Sequence, residues 1–474
     1  MTVKRQVYLL DPQKIPPETI AVTFAKTSRS PQTFREIAAE LSAEKSAEFH
    51  EKWVVGYGHA SVAEHAVLHI AVENISRLAV EALESNRLAS YTEKSTRYQK
   101  WDPDAFFIPP ELEGHPLRSK FVQTCQFLFD AYQQALPAVQ TVVEEVNPRN
   151  ADESKSAWER RLRSKYVDVC RFLLPAASLA NVGMTINARA LEHAIRKMLS
   201  HPLAEVQQTG VEIKRAALET VPTLVKYANS VPYWQSAASN LTQAAAEISL
   251  PSGSSDWCQL ISHESDAENR VLAAALYRFS GYSYAQCLAY LESLAATERE
   301  RLAQLLLNDR DRFDIPLREL EYASYTFDLI LDQGAYFELK RHRMMTQTPQ
   351  PLTTRLGYAL PRQMAQAGHE ALFRQAMQAA QECFEEIHAL FPHAASYIVP
   401  NAFNRRVLLE CNWRSLDHFV ALRTAPNAHF SLRRIAQRMA SETRTATPLL
   451  GAYLRPNPDE TWQEIENAYF TAVK

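Results

Sequence analysis

Glycine is scarce in this chain, with 11 among 474 residues, against a usual share of about 7%. That scarcity weighs against Gly-rich phosphate loops. Neither G-x-x-x-x-G-K-[ST] nor a complete G-x-G-x-x-G occurs; the nearest approach, Gly56-Tyr57-Gly58-His59-Ala60-Ser61, lacks its third glycine. A surplus of positive charge is also missing. The 51 basic and 54 acidic residues leave a net charge of -3, so nothing drives nonspecific binding to nucleic acid or to an anionic membrane. The cysteines (Cys125, Cys170, Cys258, Cys287, Cys383 and Cys411) form no C-x-x-C pair. A chain of this length needs no disulfide staples, and reduced thiols in a cytoplasmic protein are expected. The first residues hold too short an apolar stretch for a signal peptide. The longest uncharged run, Phe172 to Ala188, is broken by Pro175, Asn181, Gly183 and Asn187, so no membrane span is expected.

What is present is the composition of a soluble globular protein, 46% hydrophobic and 22% charged, at a length suited to two or three domains. Internal echoes organise it. Asn187-Ala188-Arg189-Ala190-Leu191-Glu192-His193 parallels Asn412-Trp413-Arg414-Ser415-Leu416-Asp417-His418, and Pro175 and Pro400 precede the two asparagines by the same interval. Earlier in each half, Glu64-His65-Ala66 and Ser85-Asn86-Arg87 parallel Glu321-Tyr322-Ala323 and Arg341-His342-Arg343. Repeats in one order imply a tandem duplication. The small polar residues around Ser236 to Ser255 read as a linker, which divides the chain into domain 1–235, linker 236–257 and domain 258–474.

Hydrophobic spacing supplies the elements. Leu68, Ile70 and Val72 alternate like a strand before a helical pattern over Ser76 to Arg87; Tyr325, Phe327, Leu329 and Leu331 alternate before another over Gly334 to Met345. Further helices fit Gln32 to Trp53, Pro116 to Val146, Ala190 to Met198, Leu203 to Tyr227 and Glu370 to Leu390. Each half is therefore expected to be an α+β domain, rich in helix.

Few residues suggest chemistry by themselves. Arg341-His342-Arg343 ends a predicted helix, where cations complement the macrodipole. Glu93, Ser95 and Arg97 alternate, so one extended face would offer a carboxylate, a hydroxyl and a guanidinium, a set suited to a phosphorylated sugar or simply to a solvated turn. Arg189 with His193, and Arg414 with His418, share helix faces at four-residue spacing, which also suits capping or core roles. His65 and His69 beside Glu64 have no third ligand near, so no metal site is expected. No Ser-His-Asp or Cys-His arrangement stands out.

Together the motifs are more specific. His59-x-Ser61-x-x-Glu64-His65, Arg87-x7-Ser95-x-Arg97-Tyr98, Arg171-x-x-x-Pro175 and Asn187-x-Arg189-x-x-x-His193 resemble the flavin-dependent thymidylate synthases, whose signature is Arg-His-Arg, seven residues, then Ser. Arg341-His342-Arg343, followed by Asn412-x-Arg414-x-x-x-His418-Phe419-x-x-x-Arg423, is similar to the same family's motifs in the second half. The resemblance implies two tandem copies of that family's helix-rich α+β fold, each with a mixed or antiparallel sheet. It also implies association as a homodimer of chains, because family members are homotetramers. The reaction implied is reductive methylation of dUMP to dTMP, with FAD as cofactor, methylenetetrahydrofolate as carbon donor and NADPH as reductant. Two other readings stay open: C5-methylation of another uridine nucleotide, and a flavin- or nucleotide-binding homologue without turnover.

By the same resemblance, Arg423 is the catalytic arginine beside the uracil, and Glu93, Ser95, Thr96, Arg97, Arg171, Arg341 and Arg423 bind substrate. Ser61, Glu93, Asn187, Arg189, His193, Arg341, His342, Arg343, Asn412, Arg414 and His418 contact the cofactor. Each half departs from the pattern differently. The first has Ser85-Asn86-Arg87 for Arg-His-Arg and Met198 for the uracil arginine. The second has Pro349 and Pro351 where Glu and Ser belong, and Ser396 for the arginine before Pro400. The losses are complementary. One composite site drawing on both halves retains every charged group, and its reciprocal does not.

Overall fold

The structure is a computed structural model that describes residues 5–471 except 96, 98, 100 and 251–255. Two compact units organise it: Met1–Lys94, Phe106–Arg118 and Ala177–Pro251 form the first, and Ser95–Ala105, Ser119–Ala176 and Ser252–Lys474 form the second. These units differ from the halves drawn at 235 and 258. The second unit takes in most of two long helices from the first half, Leu117–Val146 and Lys155–Cys170. The stretch 236–257, expected to be a linker, begins inside the helix Pro232–Ala246, which buries no residue; residues 251–255 lie outside the described ones.

In the first unit, β1 (Val67–Ser76), β2 (Ala89–Glu93) and β3 (Leu179–Asn187) form an antiparallel sheet in the order β1-β3-β2. A bulge between Val72 and Ile75 bends β1. It places Asn74 at φ 57°, a left-handed conformation that asparagine tolerates better than most residues. In the second unit, β4 (Cys258–His263), β5 (Ser324–Asp332), β6 (Thr346–Pro349) and β8 (Asn404–Asn412) are ordered β4-β5-β8-β6, again antiparallel. The short β7 (Leu360–Pro361) pairs with β9 (Phe470–Thr471). Tyr325, Phe327, Leu329 and Leu331 are fully buried in this unit's core, as their alternation predicts.

Each unit repeats one arrangement. In the first, β1 pairs with β3 so that Val67 faces Asn187; in the second, β5 pairs with β8 so that Ser324 faces Asn412. Asn187 then caps the helix Ala188–Leu199 by accepting from the Ala190 N–H at 2.9 Å, and Asn412 caps Trp413–Arg423 by accepting from Ser415 at 2.9 Å. Ser76 and Asp332 cap the helices that follow β1 and β5. Arg189 pairs with Glu64, and Arg414 pairs with Glu321 at 2.7 Å. The echoes in the sequence are therefore the same contacts made twice. Within the second unit the duplicated prolines meet, since Pro175 and Pro400 form an antiparallel bridge. It is flanked by Ala176 N–H to Val399 O at 2.9 Å and Asn401 N–H to Leu174 O at 3.0 Å. Equivalent residues donate to equivalent residues.

Several helices are shorter than their apolar patterns. Gln32 to Trp53 is three elements, Phe34–Glu40, Ala43–Phe49 and the π-helix His50–Gly56, because Thr33 and Ser42 each cap a fresh start. Leu203 to Tyr227 breaks after Leu218, and Pro222 begins a separate turn. The helix after β1 ends at Leu83, and the one after β5 ends at Leu339. Arg341-His342-Arg343 thus lies in the turn beyond that helix, not in its last turn.

The equivalence of the two caps is testable. Asn187→Ala and Asn412→Ala should each cost about 1 kcal/mol, lowering the melting temperature by a few degrees in calorimetry. A penalty at only one position would contradict the repeated capping.

Candidate functional site

The second unit brings together charged residues from distant parts of the sequence. The helix Lys155–Cys170 starts at an N-cap Ser154 and runs into a tight turn, Arg171–Leu173. Asp168 lies in its last turn, and Arg171 directly follows it. The Asn401 amide holds that turn by donating to the Arg171 carbonyl at 2.9 Å. Opposite, the helix Gln333–Leu339 is buried along its whole length. Gly334 lets it approach closely, because a Cβ there would sit 3.1 Å from Asp332 Oδ1 and 3.6 Å from Asn401 Cβ. Glu338 projects from the end of this helix.

The carboxylates of Asp168 and Glu338 organise the arginines. Arg97 forks Asp168, with Nε to Oδ1 at 2.8 Å and Nη2 to Oδ2 at 2.7 Å; its Nη2 also reaches the Asn427 carbonyl at 3.0 Å. Arg171 Nη2 donates to Glu338 Oε1 at 3.1 Å, and Arg97 Nε stands 3.9 Å from the same oxygen. Arg423 Nη1 donates to Glu338 Oε2 at 3.2 Å and its Nη2 to the Glu338 carbonyl at 3.3 Å. Arg423 Nε donates to His342 Nε2 at 2.9 Å.

These contacts fix the protonation states. Burial raises the Glu338 carboxyl, but Arg171, Arg97, Arg423 and Arg341 together outweigh it and hold the group below its ordinary value. Burial pushes Asp168 up against Arg171 and Arg97; the two-pronged Arg97 contact is that of an ionised carboxylate. His342 accepts from an arginine, so its Nε2 carries no proton. Burial, then Arg423, His418 and Arg341, hold it well below the usual histidine value. Burial likewise lowers His429, with Arg171 and Arg97 adding to the effect; its ring stacks on Phe172 at 5.7 Å.

Of the residues expected at the site, Arg97, Arg171 and Arg423 converge here, and the exposed Arg341 acts on the same carboxylate. The Ser95 hydroxyl accepts from the Arg97 N–H at 3.2 Å. Thr96 lies outside the described residues. The extended face of Glu93, Ser95 and Arg97 does not form, because β2 ends at Glu93 and the chain turns. Glu93 belongs to the first unit, where its buried carboxylate pairs with Arg77.

Among the expected cofactor contacts, Ser61, Arg189 and His193 are exposed in the first unit, and His193 packs edge-on against Trp234 at 5.6 Å. In the second unit, His418 is exposed with its ring 5.8 Å from His342, and Arg343 is half-buried. Asn187, Asn412 and Arg414 make the structural contacts already described.

Sequence reasoning missed Asp168, Glu338 and His429. The signal for the first two was local: each acid precedes an arginine of the motif by three positions, the spacing of one helical turn. Burial pushes the thiols of Cys125, Cys258 and Cys411 up, the opposite of what a nucleophile requires. Among the described residues, no cluster of His, Cys, Asp or Glu is arranged to hold a metal ion. None of the described helices is long and apolar enough to cross a membrane.

Comparison with known proteins matches residues 10–223 and 259–449 separately to the family described as thymidylate synthase complementing protein. A UPF0159 protein of Chlamydia muridarum is 32% identical over 438 residues, covering 88% of this chain and 82% of that protein. A UPF0159 protein of Thermoplasma acidophilum is 27% identical over 459 residues, covering 88% and 90%. The flavin-dependent thymidylate synthase of Clostridium tetani is 29% identical over 214 residues, which is 44% of this chain and 82% of that one.

The buried histidines make stability depend on pH. An unfolded histidine protonates near pH 6.5, whereas folded His342 and His429 resist protonation until lower pH. Their neutral burial costs nothing above about pH 6.5, and stability falls as acid drives protons onto the unfolded state. The urea midpoint should therefore drop between about pH 7 and about pH 5.5, and drop less in His429→Phe. Equal wild-type midpoints at the two values would contradict the neutral state.

Proposed function

The chain belongs to the thymidylate synthase complementing protein family, and on that basis we propose that it catalyses the FAD-dependent reductive methylation of dUMP to dTMP. The observation that carries this reading is the convergence of Arg97 and Arg171 with Arg423 around one pair of carboxylates in one compact unit. The first two come from the first half of the sequence and the third from the second half.

In this reading Arg97 and Arg171 hold the nucleotide phosphate. Asp168 and Glu338 have already oriented their guanidiniums, so little side-chain entropy is lost on binding. Arg423 faces the uracil and stabilises negative charge that develops on the ring. A guanidinium has five N–H donors. The contacts to His342 and Glu338 use one on each nitrogen, which leaves one on each terminal nitrogen for the pyrimidine. Neutral His342 aims Arg423 without adding a competing charge. Glu93, a further expected contact, pairs with Arg77 in the other unit.

The donor set also suits FAD. Exposed Arg341 and His418, with half-buried Arg343, would hold its pyrophosphate. When bound, FAD supplies the electrons that reduce the transferred carbon to a methyl group. Methylenetetrahydrofolate is the proposed carbon donor and NADPH the proposed reductant.

The test is tritium release from C5-labelled dUMP by the purified yellow protein with both co-substrates. Arg97→Ala and Arg423→Ala should each lower the rate by about 100-fold or more. Mixing the two variants should not restore it, since both residues serve one intramolecular site. A colourless protein without bound flavin, or a fully active Arg423→Ala, would overturn the assignment. The proposed assembly is two chains, and light scattering should give twice the mass of one; a strict monomer at micromolar concentration would exclude it.

A further inference from the structure

The turn that carries Arg171 is held by rings as well as by hydrogen bonds. Phe172, its next residue, is fully buried and lies parallel to Phe430, with ring centroids 5.8 Å and planes 3° apart. Phe430 opens the helix Phe430–Ala446, and its ring stacks in turn on Tyr469 at 4.8 Å and 7°. The three rings form one parallel series joined through Phe430, at distances that aromatic pairs favour. Tyr469 ends the helix Trp462–Tyr469, which with β9 makes a segment beyond residue 449, where the match to the family stops. This segment is fastened at several points. Arg362 Nη2 donates to the Phe470 carbonyl at 3.1 Å, and β7 pairs with β9. The Arg434 guanidinium lies over the Phe470 ring at 4.3 Å, and that of Arg433 over Tyr469 at 5.2 Å. The helix turn beneath it also serves the other side of the site, since Ser431 donates to Asp332, which caps the helix carrying Glu338.

We propose that Tyr469 is a positioning residue, which through Phe430 and Phe172 fixes the turn of Arg171 and so its grip on the nucleotide phosphate. This rests on the nucleotide reading above and extends it to a segment outside the motifs. Arg171 has little latitude, because its Nη2 must meet Glu338 Oε1 at 3.1 Å while its carbonyl accepts from Asn401 at 2.9 Å. A close-packed interior passes the displacement of one ring on to its neighbours. Tyr469 is half-buried and forms the outer end of the series. Truncating it loosens the stack without altering any residue of the arginine cluster.

The test is calorimetry on the full chain with dUMP and deoxyuridine. Tyr469→Ala should weaken dUMP about fivefold, the scale of one aromatic pair, and leave deoxyuridine, which has no phosphate, unchanged. Tyr469→Phe keeps the ring and should bind dUMP as the wild type does. In an Arg171→Ala background, Tyr469→Ala should have no further effect on dUMP, because the two act through one group; an undiminished effect there overturns the proposal. So does a Tyr469→Ala variant that binds dUMP like the wild type, or one that weakens both ligands by the same factor. Should Tyr469→Ala fail to fold, hydrogen exchange on the wild type decides. Linkage requires dUMP to slow amide exchange within Trp462–Thr471 more than deoxyuridine does, and equal exchange with both ligands overturns the proposal. Failure of dUMP to bind the wild type would sink the nucleotide reading itself, whereas dUMP binding indifferent to Tyr469 would sink only this proposal.

Discussion

The buried bridge of Glu338 between Arg171 and Arg423 is the constraint on which the site in the second unit depends. It joins the end of the helix Lys155–Cys170, the helix after β5 and the end of Trp413–Arg423. Buried ion networks of this kind add little net stability, because desolvation offsets most of their attraction. They are costly to break, however, since each orphaned charge would stay in a low-dielectric interior. The arrangement therefore favours one geometry more than it favours folding as such. It holds three guanidiniums in place.

The duplication shows how one scaffold supports two outcomes. Sheet register, asparagine caps and the Arg189–Glu64 and Arg414–Glu321 pairs recur in both units. The residue after each strand-end cap has diverged, with Arg77 in the first unit and Gln333 in the second. Arg77 consumes Glu93, while the helix that begins at Gln333 delivers Glu338 to the arginines. Met198, in place of an arginine, is buried in the first unit's core. The first unit has turned the corresponding positions over to packing and internal pairing.

Two kinds of difference separate the sequence reading from the structure. Two helices were drawn too long where an apolar pattern ran through the caps Thr33 and Ser42 or through Pro222, because periodicity measures which face is buried and says nothing of where the backbone is interrupted. The border was placed at a small, polar stretch between the repeats, whereas compactness follows long-range packing. That packing assigns residues 119–176 of the first half to the second unit. The pairing of Pro175 with Pro400 makes this concrete. Both prolines were legible as equivalent, and only the folded chain places them side by side.

The sequence by itself determined the α+β class, the duplication and the alternating core strand Tyr325 to Leu331, and it singled out Arg97, Arg171, Arg341 and Arg423 as candidates. Local periodicity and motif order carry that information, because each depends on residues close together in the chain. Tertiary structure alone decided which acids those arginines meet, that His342 accepts from Arg423, and that Glu93 pairs with Arg77. Those facts depend on burial and on contacts between segments more than a hundred residues apart. Charge balance in a low-dielectric site is set by such neighbours and not by the motif that names them.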